Sequence, residues 1–572
     1  MNNKSLVHFF VLSALSLMAE SASAAQEQDA GVLQRQLQEQ VEKSRPEEKM
    51  PQAEQSAEKV EVDPAAQKVE IKGYQFKGNT LLSNDELQTI VESWKNKALT
   101  LAELKDVTVA IQEAYAKKSR IAQASVPPQE IQEGLLLVEI VEGKFGTAHA
   151  QVVEQDRKLR FPTENAEKFV TQINKSGRYI DAQNIYRSIT TLNELPGVRA
   201  SGSFEAGEAV GVSDIKVSLR STPLLSGLVA ASNYGSASTG EAQAIGNLNI
   251  NNPFGIADVI RLDAIQSQGS SYVQGSYMLP LAFNSLKFGV QASYLTYKTL
   301  SDWSPKPSEG DATTFGFNAT YALTRKPGKH LSLRVAYEDR AYSNESAGVK
   351  ISEYDVNALT LGLNAYLVDS ATSSINLGVN AVFGDLDITN ADQLATDVRT
   401  TKTQGSFEKI TFNISRTQEL SILENTNWLV SAYGQLASKN LNSSEQFYLG
   451  GPYGVRAYPV SQGGGSQGAV VSTELQRFIA DDWLATVFID VGVVEQYKDV
   501  FLGWAGQSNA SNVYTLAAAG LTLKYTYKNF TLLGTGAYRI GDNPLHTFTG
   551  QQLNADNDYK DVQFWIRGSL DF

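Results

Sequence analysis

Leu286-Lys287-Phe288-Gly289-Val290-Gln291-Ala292-Ser293-Tyr294-Leu295-Thr296-Tyr297-Lys298 decides how this chain folds. Leu286, Phe288, Val290, Ala292 and Tyr294 fall on one face of an extended strand, with Lys287, Gly289, Gln291 and Ser293 on the other. Side chains of a strand alternate between faces, so one face suits apolar surroundings and the other suits water. Segments of this kind recur from about Leu224 to Phe572, joined by connections that are in turn short and long. That rhythm predicts a transmembrane β-barrel with lipid outside and a wet interior. In the last segment Val562, Phe564, Ile566, Leu570 and Phe572 oppose Gln563, Trp565, Arg567, Ser569 and Asp571. The terminal aromatic, Phe572, is the usual end of a bacterial outer-membrane barrel.

The alternation predicts strands near 224–233, 241–250, 257–268, 271–281, 286–299, 313–324, 331–343 and 355–368. Eight more fall near 375–385, 407–418, 428–440, 468–479, 482–493, 513–527, 528–540 and 561–572. An even count returns the carboxy terminus to the side where the barrel began. Connections after the fourth, sixth, eighth, twelfth and fourteenth strands are brief, and those after the fifth, ninth, eleventh, thirteenth and fifteenth are long. Outer-membrane barrels keep short turns in the periplasm and long loops outside, which places whatever precedes the barrel in the periplasm. Sixteen strands enclose an aqueous channel, so such a pore needs a plug.

Bulk composition conceals the membrane. A mean hydropathy of -0.24 looks soluble, yet a barrel needs apolar side chains only at alternate positions. The continuous apolar stretch Leu6 to Ala19, preceded by Lys4 and followed by Ala22-Ser23-Ala24, reads as a signal peptide over residues 1–24. No cysteine is present, which excludes disulfides, thiolate catalysis and cysteine metal sites. The 4 histidines are scattered, so no metal site and no cofactor is expected. A net charge of -13 without a basic run argues against nucleic acid as a partner.

Between signal and barrel lie three kinds of segment. Residues 25–45 carry a helix, Asp29 to Ser44, capped by Asp29, with a narrow stripe of Val32, Leu33, Leu37 and Val41 among Gln, Arg and Glu. At about 1.5 Å per residue this is a rod of roughly 24 Å, near the apolar height of an outer-membrane barrel, and suits a plug in a wet lumen. A helix in periplasmic solvent is the alternative. Residues 46–67, rich in Pro, Glu, Gln and Lys, read as a linker able to span up to roughly 65 Å.

Two α+β modules follow, at 68–146 and 147–221. In the first, Val69–Thr80 reads as a strand, Asn84–Asn96 and Leu101–Lys118 as helices, and Ile121–Ile131 and Gly134–Phe145 as strands. His149–Glu154, Thr163–Ser176, Asp181–Leu195, Val198–Phe204 and Val212–Arg220 repeat the order β-α-α-β-β. The order and size resemble POTRA domains, the periplasmic modules of outer-membrane protein transporters.

The barrel domain spans 222–572, and its longest loop, about 441–467, reads Gln446-Phe447-Tyr448-Leu449-Gly450-Gly451-Pro452-Tyr453-Gly454-Val455-Arg456-Ala457-Tyr458-Pro459. It resembles the V-R-G-Y or V-R-G-F signature of the superfamily that joins POTRA modules to a sixteen-stranded barrel. The resemblance implies a loop folded into the lumen, its arginine paired with an aspartate in an F-x-D-x-G segment of the wall. Phe488-Ile489-Asp490-Val491-Gly492 fits that segment. Val487, Ile489 and Val491 form the lipid-facing set, which turns Asp490 inward, where a lumenal Arg456 needs a carboxylate. Glu474 on the preceding strand is a weaker candidate. Ala457 stands where the family has Gly, a change compatible with the turn when the backbone keeps a negative φ.

Within this superfamily the chain is most similar to the two-partner secretion transporters, the TpsB or haemolysin secretion/activation proteins. The features are Asp29-Ala30-Gly31 opening the helix, two modules, Leu195-Pro196-Gly197-Val198, Asn233-Tyr234-Gly235 and Asn251-Asn252-Pro253-Phe254-Gly255. Ser232 replaces a common Asp. The resemblance implies a monomeric, non-enzymatic outer-membrane pore that exports one large exoprotein with an N-terminal secretion domain, of haemolysin, adhesin or contact-dependent toxin type. Gly464-Gly465-Ser466-Gln467-Gly468 fits G-x-S-x-G, and Gly463 to Gly468 fits G-x-G-x-x-G. Both sit in a loop without the flanking strand and helix that would aim a nucleophile or a pyrophosphate. No P-loop occurs, so no nucleotide is expected. The rival from the same superfamily is an insertase of other barrels, which usually carries more modules and no lumenal helix.

Overall fold

The computed structural model describes residues 29–44, 68–131, 133–153, 159–281, 286–304, 307–506, 509, 511–547, 550, 552–558 and 560–572. The expected signal peptide and linker lie outside the described residues. Helix α1 (Ala30–Ser44) is the first element.

In the first module, strands β1 (Val69–Ile71) and β2 (Gly73–Lys77) precede helix α2 (Asn84–Val91), strand β3 (Lys97–Leu99) and helix α3 (Leu101–Lys117). Strands β4 (Ala122–Ser125) and β5 (Leu135–Glu142) complete it. Both helices begin in a capping box, Ser83 with Glu86 and Thr100 with Glu103, each satisfying amides that the first helical turn leaves open. The strand expected over Val69–Thr80 breaks at Lys72, because Lys72 and Gly73 both donate to the Gly134 carbonyl. β1 then pairs with β3 while β2 pairs in parallel with β5. The helix expected to reach Asn96 stops at Val91. Asn96, at φ 56, turns the chain into β3, a conformation asparagine tolerates better than most residues. β4 is shorter than the expected Ile121–Ile131 because Pro127 and Pro128 cannot donate to a ladder.

Strand β6 (Lys144–Val152) opens the second module only one residue after β5 ends. Gly143 donates to Ile121 and accepts from Ile180, so the run expected as Gly134–Phe145 serves two sheets instead of one. Helices α4 (Thr163–Thr171) and α5 (Ala182–Asn193) and strands β7 (Val198–Ala206) and β8 (Val212–Ser221) follow. The sheets run β2-β5-β4 and β6-β8-β7, each with its first pair parallel and its second antiparallel, which is the same topology twice. Each module has a dry core. Leu87, Val107, Ile111, Tyr115 and Val138 are fully buried in the first, and Val170, Leu192, Val217 and Leu219 in the second.

Among the described residues sixteen strands close a barrel. They are β9 (Leu225–Ser232), β10 (Gln243–Asn251), β11 (Val259–Gln266), β12 (Ser270–Leu281), β13 (Leu286–Lys298), β14 (Ser308–Lys326), β15 (Lys329–Ser346) and β16 (Val349–Ser370). The order continues with β17 (Ser373–Ile388), β18 (Gly405–Glu419) and β19 (Thr426–Ala437). Within the long loop lie β20 (Phe447–Tyr448) and β21 (Gly464–Gly465), outside the barrel sheet. The wall resumes with β22 (Gln467–Ala480), β23 (Trp483–Glu495), β24 (Val513–Tyr527), β25 (Phe530–Arg539) and β26 (Val562–Asp571). On β13, Phe288 and Tyr294 face outward, while Leu295 and Tyr297 are buried within. β26 closes on β9 from Arg567↔Ser232 to Asp571↔Leu228, and the Phe572 backbone exchanges hydrogen bonds of 2.9 Å with Gly227 in both directions.

Strands β14 to β17 run 19, 18, 22 and 16 residues, far beyond the bilayer requirement of about 9–11. β15 and β16 meet in a two-residue turn, Ala347-Gly348, both at positive φ. This replaces the expected break at 344–354. Beyond the lipid the outer face no longer needs apolar side chains, so pairing continues without the alternation that betrays it, while Tyr342, Asn344 and Tyr354 stay buried within.

Two of the short motifs meet where the second module joins the barrel. A Cβ on Gly197 would come within 2.5 Å of Asn252 Cβ, and Arg160 Nη1 donates to the Pro253 carbonyl at 3.2 Å. Ala257 belongs to the module's own core. Further round the rim, Glu194 at the end of α5 takes a bidentate bond from Arg325 near the end of β14, at 2.5 and 2.6 Å, with Lys287 3.4 Å away. Burial opposes the charge of Glu194, but Arg325 and Lys287 prevail and hold its carboxyl below the ordinary value.

Candidate functional site

The site is the barrel lumen, occupied by α1 and by the loop between β19 and β22. The loop is an ordered body: β20 pairs with β21, a short 3-10 turn spans Ser443–Glu445, and Asn442 caps it. Leu449, Val455, Ala457 and Tyr458 are fully buried. Ala457 has a negative φ, so its methyl costs the turn no strain. Gly492 on the wall makes room, since a Cβ there would meet Leu449 and Val455 at 2.9 Å.

Arg456, at the loop tip, is bidentate to Asp490 on β23: Nε donates to Oδ2 at 2.9 Å and Nη2 to Oδ1 at 2.7 Å. Nη1 lies 2.9 Å from Glu474 on β22, Nη2 also donates to Ser472 Oγ at 3.0 Å, and the guanidinium stacks 3.4 Å above the Phe488 ring. Two carboxylates, not one, hold the arginine. Asp490 is 0 % exposed while its neighbours Val487, Ile489 and Val491 are 57, 48 and 43 % exposed, which is the alternation of a lipid-facing strand. Trp565 on β26 donates from its indole to the Arg456 carbonyl at 2.7 Å, and Arg539 on β25 donates to the Ala457 carbonyl at 3.1 Å. The tip is thus fastened to both sides of a five-strand stretch of wall.

Helix α1 is latched at its amino end. Asp29 Oδ1 accepts from the Gly31 amide at 2.7 Å and from Tyr354 at 3.0 Å, while Asn344 donates to Oδ2 at 3.0 Å and accepts the Ala30 amide at 2.8 Å. Ala30, Leu33, Leu37 and Val41 bury against wall residues including Tyr272, Leu295 and Ala312. The rest of its circumference is polar yet buried: Gln34 donates to Thr314, and Gln36 and Gln40 donate to the Tyr234 carbonyl at 3.3 and 2.9 Å. The amide oxygens of these three glutamines, Arg35 Nη1 and Ser44 Oγ find no partner among the described residues. A cavity of about 410 Å³ beside the helix is lined by Arg35, Glu39, Tyr433 and Tyr453 among others.

Asn233-Tyr234-Gly235 links helix, loop and seam. Asn233 binds the β26 backbone at Phe564 and Ile566, and the Tyr234 ring meets Tyr453 and Trp565 edge-on, each at 5.8 Å. The sequence reading missed Asn344 and Tyr354 as helix partners and Glu445 as a loop anchor. Their one local signal is a polar side chain at an inward position, and the wet lumen makes such positions common.

Comparison with known proteins follows the same lines. The haemolysin secretion/activation protein ShlB/FhaC/HecB family matches residues 211–521, more than half of the chain, and the ShlB-type POTRA domain matches 69–143. The chain belongs to that haemolysin secretion/activation family. It is an outer-membrane transporter of the two-partner secretion type, with POTRA domains that are periplasmic in this family. The heme/hemopexin transporter protein HuxB of Haemophilus influenzae is 24% identical over 504 residues, covering 86% of this chain and 84% of its own. Outer membrane transporter CdiB of Dickeya dadantii is 23% identical, over 70% of this chain and 71% of its own. The solved structure of CdiB from Escherichia coli shares the fold at TM-score 0.65 and 19% identity, over 95% of this chain and 98% of its own.

Proposed function

We propose that this family member exports a single large exoprotein from periplasm to surface, and that α1 is its removable plug. The two modules capture the client's N-terminal secretion domain by strand addition, α1 leaves the lumen, and the loop bearing Arg456 shifts to clear a path. Folding of the emerging chain outside, which buries apolar area and pairs its strands, supplies the drive without nucleotide. No catalytic step on this chain enters that sequence, and a single copy suffices because the pore lies within one barrel.

The carrying observation is the polar seat of α1. A helix held for good would have its buried amides paired within the protein, whereas three glutamine oxygens in this seat have no partner among the described residues and depend on water for one. Cargo differs among relatives, one being named a heme/hemopexin transporter and another a hemolysin transporter. The client is a long secreted protein, haemolysin, adhesin, contact-dependent toxin or haem-capturing in type, and a very long secreted protein encoded beside this chain is the one to test.

The test is secretion of that neighbouring protein by cells making the wild-type chain or Asp490→Ala. Wild-type cells should place the client in the medium or on the surface, and Asp490→Ala should leave it in the periplasm. Export at the wild-type rate by the variant would remove the Arg456–Asp490 pair from the mechanism. General loss of outer-membrane proteins on depletion of this chain would point to barrel insertion instead.

A further inference from the structure

Glu445 is a buried carboxylate that the Arg456 anchor does not use. It stands at the base of the lumenal loop and is 2% exposed. Its Oε1 lies 2.8 Å from Arg340 Nη1 on β15, and its Oε2 lies 2.8 Å from Lys409 Nζ on β18. Its carbonyl oxygen accepts from Lys409 and from Gln435 on β19 at 3.0 and 2.9 Å. The loop is therefore tied down twice with opposite polarity. At the tip a loop cation meets wall anions, and at the base a loop anion meets wall cations. Neither end can settle in the other's seat without facing like charge, which fixes the loop in one register. Neutralising this carboxylate would leave Lys409 without its carboxylate partner and Arg340 with only Glu338, 3.8 Å from its Nε.

The same 3-10 turn supports the plug. Gly31 lies against Ser444 so closely that a Cβ there would strike the Ser444 side chain, the Tyr354 hydroxyl and Asp29. Helix α1 thus rests its amino end on the turn that Glu445 pins to the wall. We infer that Glu445 is a positioning residue that couples plug to loop: by holding Ser443–Glu445 against β15 and β18 it keeps α1 seated, independently of the Arg456 anchor. This rests on the reading of α1 as a plug.

The chain has no cysteine, so Leu37→Cys places a single thiol at a position 0% exposed while α1 is seated. The full-length protein carrying it is reconstituted in liposomes, and labelling by a membrane-impermeant maleimide reports helix exit. Glu445→Gln in this background should raise the labelling rate about tenfold or more, and Glu445→Asp should restore most of the protection. Gly31→Ala should raise labelling comparably, and the double variant should add little, because both changes break one contact. Asp490→Asn should stay near the background rate. Unchanged labelling in Glu445→Gln, simple additivity with Gly31→Ala, or an equal rise in Asp490→Asn would each overturn the inference. Should Glu445→Gln fail to give the heat-modifiable folded band, Lys409→Gln, which keeps the Arg340 pair, serves instead; no rise there overturns the inference too. Single-channel conductance of the chain lacking 29–44 separates the layers. No rise would sink the plug reading itself, whereas a rise with flat Glu445→Gln labelling would sink only the coupling.

Discussion

Helices α1 and α3, of 15 and 17 residues, each carry one apolar stripe, yet they sit in opposite surroundings. Val107, Ile111 and Tyr115 of α3 are fully buried in the apolar core of the first module. Leu33, Leu37 and Val41 of α1 are buried as deeply, but Gln34, Gln36, Gln40 and Ser44 are buried with them. Removing α3 would return apolar surface on both partners to water, at about 25 cal/mol per Å². Removing α1 does so along a narrow stripe and offsets the loss by hydrating amides that lack protein partners. On the proposed reading of α1 as a plug, the polarity of its seat, more than its own stripe, decides whether a helix is fixed or removable.

Deleting residues 29–44 should push the comparison furthest: the barrel keeps its heat-modifiable folded mobility while conductance rises several-fold. Deleting 101–117 should instead unfold the first module, seen as rapid amide exchange throughout β2, β4 and β5. Loss of the barrel in the first case would break the contrast. Single substitutions sharpen it: Ile111→Ala should destabilise the first module by about 2–5 kcal/mol, read from exchange of its slowest amides. Leu37→Ala should leave barrel unfolding unchanged and register only as faster helix exit.

A smaller effect comes from the polar hub of the first module. Glu142 accepts from Thr80 N, Leu81 N and Tyr115 Oη at 2.6, 2.7 and 2.8 Å. Glu142→Gln should cost about 1–3 kcal/mol there and nothing in the barrel. Smallest is the pH response. Burial opposes the Glu142 charge, but the donors from Thr80, Leu81 and Tyr115 prevail and hold its carboxyl below the ordinary 4.5. A depressed folded value contributes stability that is complete above 4.5 and lost as pH falls through the lower folded value. Protection of the first-module amides, taken relative to their intrinsic exchange rate at each pH, should therefore fall in acid, and Glu142→Gln should abolish that part of the response.

Much of this was legible in the residues. The alternation around Val487, Ile489 and Val491 turns Asp490 inward before any coordinates, because lipid on one face of a strand demands apolar side chains at every second position. The same logic fails for β14 to β17 beyond the bilayer, where no lipid demands apolar side chains on the outer face and the inner face is a mixture of buried Tyr and Asn. It fails again at Lys72 and Gly143, where single backbone hydrogen bonds redirect a strand that still reads as continuous.

The barrel, its duplicated periplasmic modules and the inward-looking wall residues can be read from the chain alone, since each follows from a local period or a repeat. Tertiary structure alone decided that Glu474 shares Arg456 with Asp490, that Asn344 and Tyr354 latch α1, and that Arg340 and Lys409 converge on Glu445. Those partners come from strands far apart in the chain that closure of the cylinder brings face to face. A period-two pattern records which side of the wall a residue occupies, and carries no information about what stands across the lumen.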